Sequence, residues 1–287
     1  MNSQTVIFIH IPKAAGTTFY QVLNRQYKVE HILYIEPGKD RRGSIDAFWQ
    51  LPEDRKAHLR CIHGHMPFGL HQWLPQPATY ITILRNPVER VVSYYYFVRR
   101  TRVHHFHSEL VEKNMSLEDF VRKIVDINET NLQTRWISGC VDFDSLLMPP
   151  YEQLPANALD LAKENIKKYF AVCGLTERFD ESVLLMQRVL GWRNVYYMRR
   201  NVGRRRPPRE QMPSSTLRLI EKYEEKDLAL YEFAGERLTE MFDAYGIFAK
   251  QVQRFRTLNR LLGFPIWACN VLNRKLTIKV RRIRHIS

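Results

Sequence analysis

Two histidines one residue apart, His63 and His65 in Arg60-Cys61-Ile62-His63-Gly64-His65, close a short apolar run. Residues two apart on a strand face the same way, so both imidazoles can enter one pocket. Their ordinary pKa of about 6.5 suits removal of a proton from a hydroxyl group near neutral pH. Two other readings of the same residues stay open. Cys61, His63 and His65 share a face and offer three ligands of a metal site, although no fourth is evident, and histidines in a strand also serve as satisfied polar groups.

Anion-binding chemistry flanks the histidines on both sides. Ahead of them, His10-Ile11-Pro12-Lys13-Ala14-Ala15-Gly16-Thr17-Thr18-Phe19-Tyr20 follows the apolar run Val6 to Ile9. A buried strand, a small-residue turn and a helix opened by two threonines form a mould for phosphate or sulfate. The N–H groups of Ala14, Ala15, Gly16, Thr17 and Thr18 and the positive end of the helix dipole converge on the anion, and Lys13 adds a full charge. The lysine precedes the glycine and no glycine opens the turn, so the order departs from the common nucleotide loop G-x-x-x-x-G-K-[ST]. Behind the histidines, Thr79 to Leu84 is β-branched and apolar enough for a central strand, and Pro87 suits the first position of a helix. Arg85 then stands at the strand's carboxyl end, where open parallel sheets bind ligands. It can grip a phosphate through two charge-assisted hydrogen bonds, and Ser93 on the helix can add a hydroxyl.

The elements that must position these groups alternate between strand and helix, which predicts an α/β fold with a parallel sheet flanked by helices. Ser116 followed by Asp119 is a capping box that opens a helix through about Asp126. Pro155 to Tyr169 reads as an amphipathic helix, Phe170 to Leu175 as a strand, Glu181 to Leu190 as a helix and Val195 to Met198 as a strand. With 287 residues and 45% hydrophobic content, the chain can bury a full core in one domain over 1–246, followed by an extension over 247–287.

The element Pro-Lys-small-small-Gly-Thr-Thr resembles the 5′-phosphosulfate loop of sulfotransferases that use 3′-phosphoadenosine 5′-phosphosulfate (PAPS), and the Arg85 to Ser93 spacing resembles their 3′-phosphate site. The run Arg90-Val91-Val92-Ser93-Tyr94-Tyr95-Tyr96-Phe97, the His-Gly-His element, and the stretch from Glu164 through Phe179 resemble the uronosyl 2-O-sulfotransferases of heparan and dermatan sulfate. The likeness runs from about Val6 to about Tyr245. It implies a P-loop-like sheet with a helical carboxyl-terminal part, PAPS as donor with the bisphosphate PAP as product, and no required metal. It further implies His65 as general base, with His63 as helper or substrate contact. Lys13 and the loop from Ala14 to Thr18 would bind the 5′-phosphosulfate, and Arg85 and Ser93 the 3′-phosphate. A basic loop after the Val195 strand would close over the nucleotide through Arg204 and Arg205 and meet acceptor through Arg206, although a solvated loop reads the same. Asn131 and Gln133, in an N-x-Q-x-R arrangement near the family's active site, and Arg99 and Arg102 after the Ser93 helix are candidate acceptor contacts, or polar surface. The implied acceptor is a saccharide or other hydroxyl compound, in keeping with a basic, anion-seeking site.

Charge is concentrated at the end of the chain. Of the formal net charge of +14, ten units come from Gly246 to Ser287, which holds ten Lys or Arg and no Asp or Glu. Apolar residues such as Leu261, Leu262, Phe264, Ile266 and Trp267 interleave, a pattern that fits an anionic membrane surface or a helix packed on the core. The four cysteines are scattered and indicate no disulfide framework. No signal peptide precedes the first strand and no apolar run is long enough to span a bilayer. The expectation is a bacterial-type cytoplasmic enzyme, peripheral at the inner membrane face, without specific nucleic-acid binding. A nucleoside triphosphate kinase or hydrolase would account for the first loop alone, and would want a lysine after the glycine and a magnesium-binding acid at a strand end. A non-enzymatic basic protein binding membrane or polyanion would account for the tail alone.

Overall fold

The computed structural model describes residues 4–36, 41–140, 150–199 and 207–284, with backbone alone for Arg41, Trp267 and 269–284. Arg204, Arg205 and Arg206 lie outside the described residues.

The sheet is built on Thr5–Ile9 (β1), whose five residues are all buried. A strand covered on both faces needs a continuous apolar or β-branched run rather than alternation, and Thr-Val-Ile-Phe-Ile is such a run. Four strands join it, Ile32–Ile35 (β2), Cys61–Gly64 (β3), Ala78–Leu84 (β4) and Phe170–Leu175 (β5), in the order β2-β3-β1-β4-β5. Every pairing is parallel. Ile9 lies opposite Gly64 on one side and Thr82 on the other, so the carboxyl ends of β1, β3 and β4 come out side by side.

The helices are Gly16–Leu23 (α1), Arg41–Trp49 (α2), Glu53–Ala57 (α3), Pro87–Arg100 (α4), His107–Glu112 (α5), Leu117–Asp126 (α6), Leu132–Ser138 (α7), Ala158–Tyr169 (α8), Phe179–Leu190 (α9), Ser214–Tyr223 (α10), Glu225–Ala244 (α11) and Ala249–Arg284 (α12). Local chemistry accounts for several ends. Asn86 caps α4 by accepting from Glu89 N–H, with Pro87 at the first helical position. Ser116 and Asp119 form the expected capping box on α6. Helix α8 begins at Ala158 rather than Pro155, because residues 155–157 form a turn closed by Ala158 N–H onto Pro155 C=O.

One expected strand is absent. Val195 to Met198 joins no sheet, and side chains satisfy its backbone instead: Gln21 bonds both N–H and C=O of Met198, Arg25 donates to Tyr196 C=O, and Asn259 accepts from Tyr197 N–H. Buried backbone groups need partners, but the partners need not be strands.

Two apolar clusters make the core. The larger surrounds the sheet and includes Ile7, Phe19, Ile81, Val172 and Leu230. The smaller joins α4, α5, α6 and α10 through residues such as Val91, Tyr95, Leu110, Phe120 and Ile220. The start of α12 is part of the larger cluster, with Val252 and Phe255 buried and Arg256 paired to Asp180 at 3.1 Å.

Candidate active site

The turn after β1 holds two non-glycine residues in the left-handed region, Lys13 at φ 69° and Ala15 at φ 60°. Such conformations cost of order 1–3 kcal/mol each and persist only where the surroundings impose them. Ala14 N–H closes the turn onto Ile11 C=O, and the N–H groups of Thr18 and Phe19 fold back onto Ala15 C=O. The N–H groups of Ala14 and Thr18, expected to face an anion, are thus occupied within the turn itself, and what the start of α1 offers there is the positive end of its dipole. Gly16 is required for a steric reason: a Cβ there would fall on the imidazole of His10.

His10 is the residue over which the turn folds. Its Nδ1 lies 2.6 Å from the Tyr20 hydroxyl, and its ring meets that of His65 edge-on with centroids 4.4 Å apart. Burial, with smaller electrostatic contributions from His63 and Lys13, brings its pKa down to about 3, so it is neutral at physiological pH. His63 is buried between the rings of Tyr20 and Tyr34, at centroid distances of 4.8 and 5.0 Å. His65 is only partly buried, beside His10 and Trp136, and its N–H donates to Ile35 C=O. Of the two histidines from the β3 end, His65 thus keeps access from outside. The bend between them depends on Gly64 at φ 150°, where a Cβ would strike the Ile35 carbonyl oxygen. Among the described residues no three His, Cys, Asp or Glu side chains converge as metal ligands, so Cys61, His63 and His65 do not form the three-ligand set that their spacing allowed.

Lys13 and Arg85 meet across the gap between β1 and β4. Arg85 donates from Nη1 to the Lys13 carbonyl at 2.9 Å, and its Nη2 lies 3.6 Å from Glu89. The Lys13 ammonium rests 3.9 Å from the centroid of the Phe97 ring, a cation–π contact rather than an ion pair. Burial, reinforced by Arg100 and Arg85, lowers its pKa to about 8. Three cations around one space, with no carboxylate among the described residues paired to the lysine, fit an anionic ligand. Ser93 lies on the same face of α4, four residues after Glu89 and four before Phe97, so it sits between the groups that hold Arg85 and Lys13.

The candidate acceptor residues are placed less uniformly. Arg99 is exposed and donates to the Tyr95 hydroxyl at 3.0 Å, and Arg102 is exposed just beyond α4. Asn131 and Gln133 do other work. Gln133 is fully buried, and its side-chain amide pairs with the Arg85 main chain as a neighbouring strand would: Arg85 N–H donates to Oε1 and Nε2 donates to Arg85 C=O, both at 2.9 Å. Asn131 Oδ1 accepts from the N–H groups of Lys226 and Asp227 at the start of α11. The favour is returned, since Asp227 accepts from Gln133 and Thr134 N–H at the start of α7, and Glu224 accepts from Asn131 N–H. Arg90 of α4 pairs with Glu224 at 3.2 Å and approaches Asp227 at 4.0 Å. Burial pushes Glu224 up to about 8, with Arg90 pulling down and Asp227 pushing up.

His10, Tyr20 and Phe97 complete a site whose other members the sequence motifs had singled out. Tyr20 stands one turn beyond Gly16 on α1, and Phe97 one turn beyond Ser93 on α4. That helical spacing from motif residues is the signal that marks them.

The chain was compared with known proteins. The model of the Sulfotransferase family matches residues 2–234. A Drosophila melanogaster protein described as heparin sulfate O-sulfotransferase is 27% identical over 253 residues, 80% of this chain and 70% of that protein. Heparan sulfate 2-O-sulfotransferase hst-2 of Caenorhabditis elegans is 25% identical, with 65% of this chain and 60% of that protein aligned. Human galactose-3-O-sulfotransferase 3 is 26% identical, with 79% of this chain and 54% of that protein aligned. A crystal structure of mouse sulfotransferase SULT7A1 complexed with PAP superposes with a TM-score of 0.37 at 12% identity, covering 90% of this chain and 89% of that one.

Proposed function

This chain belongs to the sulfotransferase family, and on that premise we propose that it transfers a sulfuryl group from PAPS to a hydroxyl of a saccharide. The observation that carries this reading is the convergence of three motifs at the adjacent carboxyl ends of β1, β3 and β4, with the turn cation Lys13, the imidazole of His65 and the guanidinium of Arg85 around one space. In this reading Lys13 and the positive end of the α1 dipole hold the 5′-phosphosulfate and stabilise the negative charge that grows on the leaving phosphate. Arg85 and Ser93 hold the 3′-phosphate. His65 accepts the hydroxyl proton as the new sulfur–oxygen bond forms. Saccharide as acceptor rests on the relatives, whose names place their activity on heparan sulfate and galactose.

Binding of the product tests the donor assignment. PAP at a hundred times its Kd stabilises a folded protein by about 2.7 kcal/mol, roughly 4–5 °C in melting temperature for a chain of this size. The shift is expected with PAP, much smaller with ATP, and largely lost in Arg85→Ala. Equal shifts with ATP and PAP would remove the 3′-phosphate site from the proposal.

The reading extends to the chain's surroundings: a cytoplasmic location with peripheral contact at the inner membrane face through α12. Val252 and Phe255 of that helix are buried, whereas Leu261 and Phe264 are 66% and 60% exposed. No described helix is long and apolar enough to cross a membrane. Removing 266–287 takes away six of the ten tail cations and leaves the packed turns in place. Each such cation is worth up to about 1 kcal/mol at an anionic surface, an attraction that salt screens. Co-sedimentation with vesicles of 30% anionic lipid at low salt is expected to fall sharply in the truncated protein while PAP binding stays intact. Unchanged sedimentation would end the membrane reading.

A further inference from the structure

The pairing of Gln133 with the Arg85 main chain has no role in the motifs themselves. Arg85 is the first residue after β4, at the point where the strand's own hydrogen-bonding ladder stops. A residue there is ordinarily free to turn with the chain. Here one side-chain amide occupies both its N–H and its C=O at 2.9 Å each, which fixes the backbone from which the guanidinium extends. Gln133 is itself fixed, because its own N–H and that of Thr134 donate to the Asp227 carboxylate at 3.0 and 2.7 Å. Asp227 is fully buried and sits at the start of α11, 142 positions after Arg85 in the chain. The opposed starts of α7 and α11 therefore cap each other, and among the described residues the strand-end residue tied into that joint is Arg85.

We infer that Gln133 is a positioning residue for the anion contact made by Arg85, and that Asp227 anchors Gln133 through the start of α7. The inference rests on the proposed role of Arg85 at the 3′-phosphate and adds the device that sets its direction. A guanidinium hydrogen-bonds a phosphate through a planar fork, so its worth depends on angle as well as distance. Releasing the main chain of Arg85 lets the fork swing while the charge remains. The loss then falls mainly on the ligand group that the fork recognises, because the turn that Arg85 Nη1 touches at the Lys13 carbonyl keeps its own closing bonds, Ala14 N–H to Ile11 C=O and Thr18 and Phe19 N–H to Ala15 C=O.

Affinities for PAP and for adenosine 5′-monophosphate, which lacks the 3′-phosphate, separate such a role from a general loss of packing. Gln133→Met is expected to weaken PAP binding by tenfold or more and to leave adenosine 5′-monophosphate within twofold. Gln133→Asn keeps a buried amide but withdraws it by one methylene, and reads the same ratio if the methionine variant folds poorly. Asp227→Asn should move the ratio in the same direction by a smaller factor. Ile137→Val, a buried change on α7 away from Arg85, should lower the melting temperature and leave the ratio alone. In an Arg85→Ala background, Gln133→Met should have no further effect on the ratio. Parallel losses for both nucleotides, or an unchanged ratio in folded Gln133 variants, overturn the positioning role while Arg85→Ala still loses the preference. If the unaltered protein shows no preference for PAP, or Arg85→Ala keeps it, the assignment of Arg85 falls and the inference falls with it.

Discussion

Replacing His65 with alanine is expected to lower kcat by about 10²- to 10⁴-fold while leaving PAP affinity within about twofold. The expected split follows from the site's layout. His65 comes from the end of β3 and packs on His10 and Trp136, whereas the anion-binding groups come from the ends of β1 and β4. On the proposed assignment, removing the imidazole takes away the proton acceptor and leaves the donor-binding groups in place. His63 is the weaker candidate because it is buried between Tyr20 and Tyr34. The measurement is transfer of ³⁵S from labelled PAPS to a heparan-type oligosaccharide, with PAP binding determined separately. Near-normal turnover by the folded His65→Ala protein would remove the histidine from the chemistry.

The second large effect belongs to Lys13. In the proposed reading it is the cation beside the leaving phosphate, and it should then contribute about 10²- to 10³-fold to kcat, the usual range for one electrostatic contact to developing charge. It also carries a pH signature. Burial and the neighbouring Arg100 and Arg85 hold its pKa at about 8. The ammonium is the form that binds an anion, and a bound phosphate raises its pKa in return. PAP affinity should therefore be full below pH 8 and fall as pH rises through 8 towards 10. Lys13→Met should bind more weakly throughout and show no such fall over that window. Binding by calorimetry at pH 7, 8, 9 and 10 tests both points, and a wild-type affinity flat across this range would show that the lysine does not meet the phosphate.

The parts of the site that local sequence reveals are those whose chemistry is contiguous. The turn from Pro12 to Thr18, the His-Gly-His element and the Arg85 to Ser93 spacing each lie within one strand–turn–helix unit, and the structure brings them to one place. The strands β1, β4 and β5 were legible because their apolar runs are bounded by turn residues. Val195 to Met198 has the same composition but different partners, since Gln21, Arg25 and Asn259 reach it from elsewhere in the chain. Strand β2, four residues at the sheet edge of which Ile35 alone is buried, lacks the length and burial that make a run stand out. Gln133 and Asn131 were visible as a polar pattern near the site, but not their task. Their partners are a strand-end main chain and the start of α11, and no local rule joins positions so far apart.

The parallel order of the sheet has a consequence for how the protein acquires its ligand. Because β3 and β4 lie on opposite sides of β1, every donor contact waits on pairings between residues more than fifty positions apart, such as Ile9 with Gly64 and Ile9 with Thr82. Closing such long loops is slow and late compared with forming single helices. A nascent or partly folded chain thus has the turn, or the arginine, but not the space between them. The nucleotide can recognise only the finished sheet, so it should retard unfolding without hastening folding, and its release should report loss of the whole architecture rather than of one loop.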